Sequence, residues 1–533
     1  MPIPQVQSIK RYEGSIAVNR ADAHMDTALE GAREGVLAML ALGERRVSAD
    51  GVTVLFRFNP ALKAERYILS AGAGGISVET GGPAGAVYAA ATISQLTLEN
   101  GGALPYCLVE DDPRFGWRGL LLDVCRHFFP METVYRLVDV MAWYKYNRLH
   151  LHLTDDQGFR FESGRYPRLN SIGSWRKSTL VRHDGVCGQD DKPHGGYYTK
   201  AELRELVRYA KARGIEIVPE IDMPGHALSV MAAYPGLACF SEPVEVATRF
   251  GVTDFSKKLY CAGSEKTYEF LFALLDEVLE IFPFEYVHIG GDEAVKTDWK
   301  RCERCQSLRK AQGLKDEREL QGYFLNRAIE FLELRGRRAI VWNDGLCDTL
   351  KGSATCQYWI PWTHEGPDRT ARYVNAGGHA ILSSVLHLYY DYPYAATPLK
   401  KTFRYRPTLA GVRKKARGNI LGVEAALWTE WIDIEEKLFF NALPRLAATA
   451  ETGWSARGGK RYREFLCRLN PHYALYRRLG LTYAARAERP LPIWKRIAGI
   501  RTFLTAETHT ELNGQKIEEA ISANNQKIWR GRL

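Results

Sequence analysis

Eight short apolar runs, at residues 119–124, 148–153, 216–221, 286–289, 339–342, 355–359, 380–384 and 420–426, each close on polar or aromatic residues. Amphipathic helical stretches separate most of them, at 132–146, 200–213, 265–281, 317–334 and 435–450, with Gly214 and Gly336 as stop signals. A strand buried on both faces reads as a continuous apolar run, and strands joined through helices pair in parallel. Eight such units over about 340 residues fit a closed (β/α)8 TIM barrel with insertions. The expected fold class is α/β.

The flanks have a different rhythm. Residues 1–112 mix strand-like segments (14–18, 52–58 and 67–70) with a helical stretch at 27–42 and an Ala-rich helix at 83–99. That helix opens on Pro83, where a missing N–H costs nothing. A small α+β domain is expected there. The polar junction Glu110-Asp111-Asp112-Pro113-Arg114 marks its end, which places the barrel at 113–455. Residues 456–533, with a basic helical stretch at 461–479 and a tail carrying Trp494 and Trp529, form a C-terminal helical extension.

Composition excludes several classes of function. With 46% hydrophobic and 25% charged residues the chain is globular. Its net charge of +10 is spread along the sequence, and the densest cluster, Arg-Lys-Lys-Ala-Arg at 413–417, reads as a solvated loop or helix end. No nucleic-acid-binding module pattern is present, so no nucleic-acid partner is expected. No run of 18 or more apolar residues occurs, so no membrane span is expected, and without an apolar core after the first basic residues the chain reads as cytoplasmic. The ten cysteines lack the spacing of a disulfide scaffold. Cys302 and Cys305 make one C-x-x-C, but no second pair or His pair follows at zinc-site spacing, so a zinc site is the lesser reading beside a surface disulfide or two free thiols.

In a TIM barrel the active site lies at the C-terminal ends of the strands, so the residues there belong together. Strand one ends in Asp123-Val-Cys-Arg126-His127, and strand two in His150-Leu-His152-Leu-Thr-Asp155-Asp156. Strand three ends in Glu220-Ile-Asp222-Met-Pro-Gly-His226, and strand four in His288-Ile-Gly-Gly-Asp292-Glu293. Trp342-Asn-Asp344, Tyr358-Trp359, Tyr389-Tyr-Asp391 and Trp428-Thr-Glu430 close the remaining four. Any one polar strand end has a bland explanation; eight of eight do not. Carboxylates, an Arg and several aromatic faces suit a neutral sugar, and the Gly290-Gly291 pair precedes acids that would repel phosphate.

A conventional retaining glycosidase sets two carboxylates about 5–5.5 Å apart across the scissile bond, and an inverting one about 6.5–9.5 Å. Adjacent residues such as Asp292 and Glu293 do not easily flank a bond from opposite sides. They fit a substrate whose own 2-acetamido group attacks the anomeric carbon, with Asp292 steadying the amide and Glu293 serving as general acid/base.

These strings carry a family resemblance. Leu-Asp-Val-Cys-Arg126, His-Leu-Thr-Asp155-Asp-Gln-Gly, Glu-Ile-Asp222-Met-Pro-Gly-His226, His-Ile-Gly-Gly-Asp292-Glu293 and Leu-Trp428-Thr-Glu430 resemble the family 20 glycoside hydrolases, the β-N-acetylhexosaminidases. The resemblance spans about 113–454 and extends to the domain before it. It implies retaining exo-hydrolysis of terminal β-linked N-acetylglucosamine or N-acetylgalactosamine through an oxazolinium intermediate, with a glycan as partner and no cofactor or metal. It implies that Arg126 and Glu430 bind the C3 and C4 hydroxyls, that Asp391 reaches the outer hydroxyls, and that Trp342, Trp359 and Trp428 wall the acetamido methyl and sugar face. Tyr389 would hydrogen-bond the acetamido carbonyl, and Asp155, His226 and Asp222 would support the catalytic acids from behind.

The chain departs from the family where Leu151 and Phe159 replace common Trp residues, and where only Phe403 and Tyr405 lie between Asp391 and Trp428. The insertion at 176–198 is placed to rim the leaving-group side. Release of a disaccharide, as by a lacto-N-biosidase, or attack on poly-N-acetylglucosamine is the alternative within the enzyme class. A non-catalytic sugar-binding barrel is the alternative outside it, and the intact Asp292-Glu293 pair opposes it.

Overall fold

The computed structural model describes residues 1–44, 51–183, 186–250, 258–361, 366–456, 461–485, 487 and 491–504. The N-terminal sheet comprises β1 (Ser8–Ala17), β2 (Arg20–Met25), β3 (Gly51–Phe58), β4 (Tyr67–Gly72), β5 (Gly75–Thr80) and β6 (Ala103–Asp111), in the order β1-β6-β4-β5-β3-β2. Burial alternates strictly along β2, as expected of a sheet wet on one face. The helix Pro83–Glu99 is buried nearly all round because it lies between this sheet and the barrel. Its alanines permit that close approach.

The barrel consists of β7 (Trp117–Asp123), β8 (Arg148–His152), β9 (Glu216–Glu220), β10 (Tyr286–His288), β11 (Arg338–Trp342), β12 (Thr355–Tyr358), β13 (His379–Leu382) and β14 (Ile420–Leu427). It closes in sequence order, β14 pairing in parallel with β7 from Gly422 opposite Trp117 to Leu427 opposite Leu122. All eight expected strands are present.

The barrel interior departs from the usual layers of branched apolar side chains. His150 bridges Glu424 (Nδ1 to Oε1, 2.8 Å) and Glu220 (Nε2 to Oε2, 3.0 Å), and His288 Nδ1 meets Glu220 Oε1 at 2.9 Å. Trp117 and Gln357 donate to Glu424 at 2.8 and 2.7 Å, and Trp342 Nε1 donates to Glu220 at 2.8 Å. His150, Glu220 and His288, which the strand-end pattern groups with the mouth, are therefore part of a buried lattice beneath it. Fully paired, such a lattice specifies one packing of the core; half-paired, it destabilises it.

A buried ion pair, Lys145 Nζ to Asp111 Oδ2 at 2.9 Å, locks the N-terminal sheet to the barrel. Removing one partner of a buried pair costs about 3–5 kcal/mol. The helix Tyr462–Arg478 bridges both units: His472 Nδ1 accepts from Trp143 Nε1 at 3.1 Å, while Arg468 donates to the Pro2 carbonyl at 2.7 Å. A second helix follows at Ile493–Leu504, and Trp529 lies outside the described residues. The basic cluster at 413–417 is largely exposed and opens a short turn of helix, Lys414–Asn419, before β14.

Candidate active site

The mouth of the barrel is organised around His226. The turn after β9 places this residue in the left-handed region, at φ 49°, and its Nε2 lies 3.6 Å from both Asp292 Oδ2 and Glu293 Oε2. Behind it, Nδ1 faces Asp155 Oδ1 at 3.3 Å. Asp155 is in turn held by Arg126 Nη2 at 2.8 Å and His152 Nε2 at 2.7 Å, and His152 contacts Glu220 of the interior lattice. A continuous chain of acids and imidazoles thus runs from the barrel core to the paired acids.

The turn after β10 explains why two glycines precede those acids. Gly290 and Gly291 have φ of 66° and 103°, and a Cβ on Gly290 would sit 1.7 Å from Asp222 Oδ1. Asp222 fills that space, its Oδ1 accepting the Gly291 N–H at 3.4 Å. Glu293 also has positive φ, 44°, which a non-glycine residue sustains only when its surroundings enforce it, at a cost of roughly 1–3 kcal/mol. The enforcing contact is Asp344: its Oδ2 accepts the Glu293 N–H at 2.9 Å while its Oδ1 accepts Trp359 Nε1 at 3.0 Å. The strand-end pattern names Asp344 without giving it a role.

Burial and like charge shape the electrostatics. Asp292 is pushed up to about 7, chiefly by burial, against the downward pull of His226. Burial likewise raises Glu293, which His226 again opposes. Asp222 is held well above the carboxylate range by burial and then by Asp292. Burial works against protonation of His226, but Asp155 and Asp292 override it and raise the imidazole well above its ordinary value. Carboxyls driven apart in this way from their usual range mark acid/base sites.

An aromatic box adjoins the acids through Asp344. Trp359 and Tyr389 stack with rings 6.1 Å apart and 13° from parallel. Trp428 stands 6.0 Å from Trp342 and 6.2 Å from Tyr389. Tyr389 is pinned by a bridge to Ala426 of β14. Arg126 lies over the Trp428 ring at 4.9 Å. Asp123 ties its loop to β14 by accepting both the N–H and hydroxyl of Thr429, at 3.0 and 2.9 Å. The buried carboxylate oxygens without a hydrogen-bond partner among the described residues include Asp292 Oδ1 and Asp391 Oδ1. A buried acceptor left unmade costs about 1–3 kcal/mol, so both favour a ligand that donates.

Some expected residues are elsewhere. Leu151 and Phe159 are core residues, and Phe403 packs on Tyr462 and Phe465 of the C-terminal helix rather than in the mouth. Tyr405 stacks on His387. The insertion after β8 borders the Arg126 side: Arg176 Nη2 donates to the Arg126 carbonyl at 2.6 Å, and Leu180 packs with Phe250 and Trp431, next to Glu430. Cys302 and Cys305 are buried, not on the surface, and neither forms a disulfide.

Residues 115–457 match glycosyl hydrolase family 20, catalytic domain, and residues 3–112 match glycosyl hydrolase family 20, domain 2. The chain belongs to family 20. It is a glycoside hydrolase of the β-N-acetylhexosaminidase kind, with the family's second domain ahead of its barrel. A β-hexosaminidase of Akkermansia muciniphila is 36% identical over 428 residues, 78% of this chain and 84% of that protein. One of Porphyromonas gingivalis is 36% identical over 430 residues, 77% of this chain but only 53% of that longer protein. Among solved structures, a family 20 exo-β-N-acetylglucosaminidase of Vibrio harveyi in complex with N-acetylglucosamine superposes with a TM-score of 0.78, at 28% identity, over 90% of this chain and 78% of that one.

Proposed function

We propose that this family 20 enzyme releases terminal non-reducing β-linked N-acetylglucosamine or N-acetylgalactosamine from glycans, with retention, by substrate assistance. The supporting observation is that a single nitrogen, His226 Nε2, is equidistant from Asp292 and Glu293. One imidazole serving two adjacent acids puts both on the same side of the bound sugar. The nucleophile then comes from the substrate.

In the first step the unpartnered Asp292 oxygen accepts the acetamido N–H, Tyr389 donates to the acetamido carbonyl, and that carbonyl oxygen attacks C1. The C1–O bond to the leaving group breaks as protonated Glu293 delivers its proton to the departing oxygen. An oxazolinium results, its positive charge facing Asp292 across the aromatic box. In the second step Glu293 takes a proton from water, which attacks C1 and returns the electron pair to the acetamide. His226 and Asp155 keep the proton inventory, since imidazole between two carboxylates can pass a proton either way. Arg126, Glu430 and Asp391 take the sugar hydroxyls.

The insertion packed beside Arg126 and Glu430 favours exo-action over release of a disaccharide, because it backs the side where C3 and C4 would lie. The direct test is hydrolysis of an aryl β-N-acetylglucosaminide by Asp292→Asn and Glu293→Gln. Each is expected to lose activity by about 10²–10⁴-fold while remaining folded, in line with loss of a general acid or a charge-stabilising group. Full activity in both would overturn the mechanism, and disaccharide products from defined oligosaccharides would overturn the exo assignment.

A further inference from the structure

Four cysteines meet outside the active site. Cys239 Sγ lies 3.6 Å from Cys305 Sγ, and Cys261 Sγ lies 3.8 Å from Cys305 and 3.9 Å from Cys302. All four are buried, and their sulfurs all fall within 4.8 Å of one another. A tetrahedral zinc with Zn–S bonds of about 2.3 Å has sulfur–sulfur edges of about 3.8 Å. A disulfide bond would need about 2.05 Å. Pairwise thiol contact alone allows such separations, but it gives no reason for four thiols from two barrel units to face one centre.

We propose that these cysteines form a structural zinc site that staples together the two loops carrying the catalytic residues. Cys239 and Cys261 belong to the excursion after β9, which begins with His226, and the antiparallel pairing of Ala238 with Tyr260 sets them side by side. Cys302 and Cys305 belong to the excursion after β10, which begins with Asp292 and Glu293. Cys302 caps the helix Glu303–Ala311, so this C-x-x-C straddles a helix N-terminus, where a thiolate is favoured.

The surroundings suit a tetrathiolate. Arg304, inside the C-x-x-C, donates to the Cys239 carbonyl at 3.1 Å, which places a cation beside the surplus negative charge. Gly263 lies against the Arg304–Cys305 backbone, where a Cβ would fall 2.3 Å from the Arg304 carbonyl carbon, so the two arms close more tightly than any other residue permits. Trp299 Nε1 donates to the Tyr260 carbonyl at 2.9 Å and holds the loops in register. Zinc binding replaces each thiol proton, released to solvent, with a metal bond and involves no redox change. A closed, buried set of four thiolates offers no open position for substrate, so its role is to hold structure.

The decisive experiment uses the unmodified full chain, purified without a metal-affinity step and dialysed against EDTA. Metal analysis is expected to find about one zinc per chain, and zinc K-edge absorption only sulfur neighbours at about 2.3 Å. Titration with a mercurial should release that zinc to an indicator dye as the thiols react. Substitution with Co²⁺ should give the intense charge-transfer bands of a tetrathiolate, and Cys305→Ala should abolish both signals. Zinc-free protein with four titratable thiols, a mass deficit from disulfides, iron in place of zinc, or nitrogen and oxygen neighbours at the edge would each overturn the assignment. None of these readouts depends on hydrolysis.

Discussion

The backbone N–H of Glu293 donates to Asp344 Oδ2 at 2.9 Å, and this one bond joins the proposed general acid/base to the aromatic wall, since the other oxygen of Asp344 holds Trp359. It also holds the left-handed turn at Glu293. Asp344→Ala is expected to lower kcat about 10–100-fold, the loss of one or two charge-assisted hydrogen bonds. Asp344→Asn, whose amide oxygen still accepts one of them, should retain more. Steady-state kinetics on an aryl β-N-acetylglucosaminide checks both, and equal activity in parent and alanine variant would show that Asp344 positions nothing.

His226 pulls down the pKa of both Asp292 and Glu293. His226→Asn removes that pull yet keeps a residue that tolerates φ near 49°. Both carboxyls then hold their protons to higher pH, so the whole pH profile of kcat/KM should shift upward while its maximum falls about 10–100-fold. An unmoved profile, or one shifted to lower pH, would separate His226 from the proton chain.

Asp292 bears on stability with a definite sign. Its folded pKa of about 7 lies above the ordinary aspartate value of about 3.9, so the folded state binds the proton more tightly than the unfolded state between those pH values. Its contribution to stability therefore declines as pH rises from about 4 to 7. Asp292→Asn does not titrate, so its melting temperature relative to the parent should be higher at pH 8 than at pH 5, by roughly 1–3 °C or more. A difference independent of pH would contradict the buried, ionisable state assigned to this carboxyl.

The barrel was legible because apolar runs and helices alternate strongly enough to be read without tertiary information, and its strands lie where the pattern puts them. The N-terminal sheet was only half legible. β2, Arg-Ala-Asp-Ala-His-Met, alternates charges with small residues and carries little apolar signal, and β5 and β6 follow turns that masked them. At the site, the rule that barrel chemistry gathers at strand ends picked out the residues that converge on His226. It could not separate the mouth from the layer below, so His150, two residues before the end of β8, and His288, four residues before Asp292, belong to the core lattice. The cysteine cluster was hidden for a topological reason: Cys261 and Cys239 precede their partners by 41 and 66 residues and come from another βα unit.

Participation of the acetamido group is tested most directly by a series of aryl glycosides whose 2-acetamido methyl carries none, one, two or three fluorines. Fluorine drains the carbonyl oxygen of nucleophilicity while leaving the sugar's shape and hydroxyls nearly intact. If that oxygen attacks C1, log(kcat/KM) should fall steeply and steadily with each fluorine. A flat series, or an aryl β-glucoside cleaved as fast as the N-acetylglucosaminide, would contradict participation and assign the nucleophile to the protein.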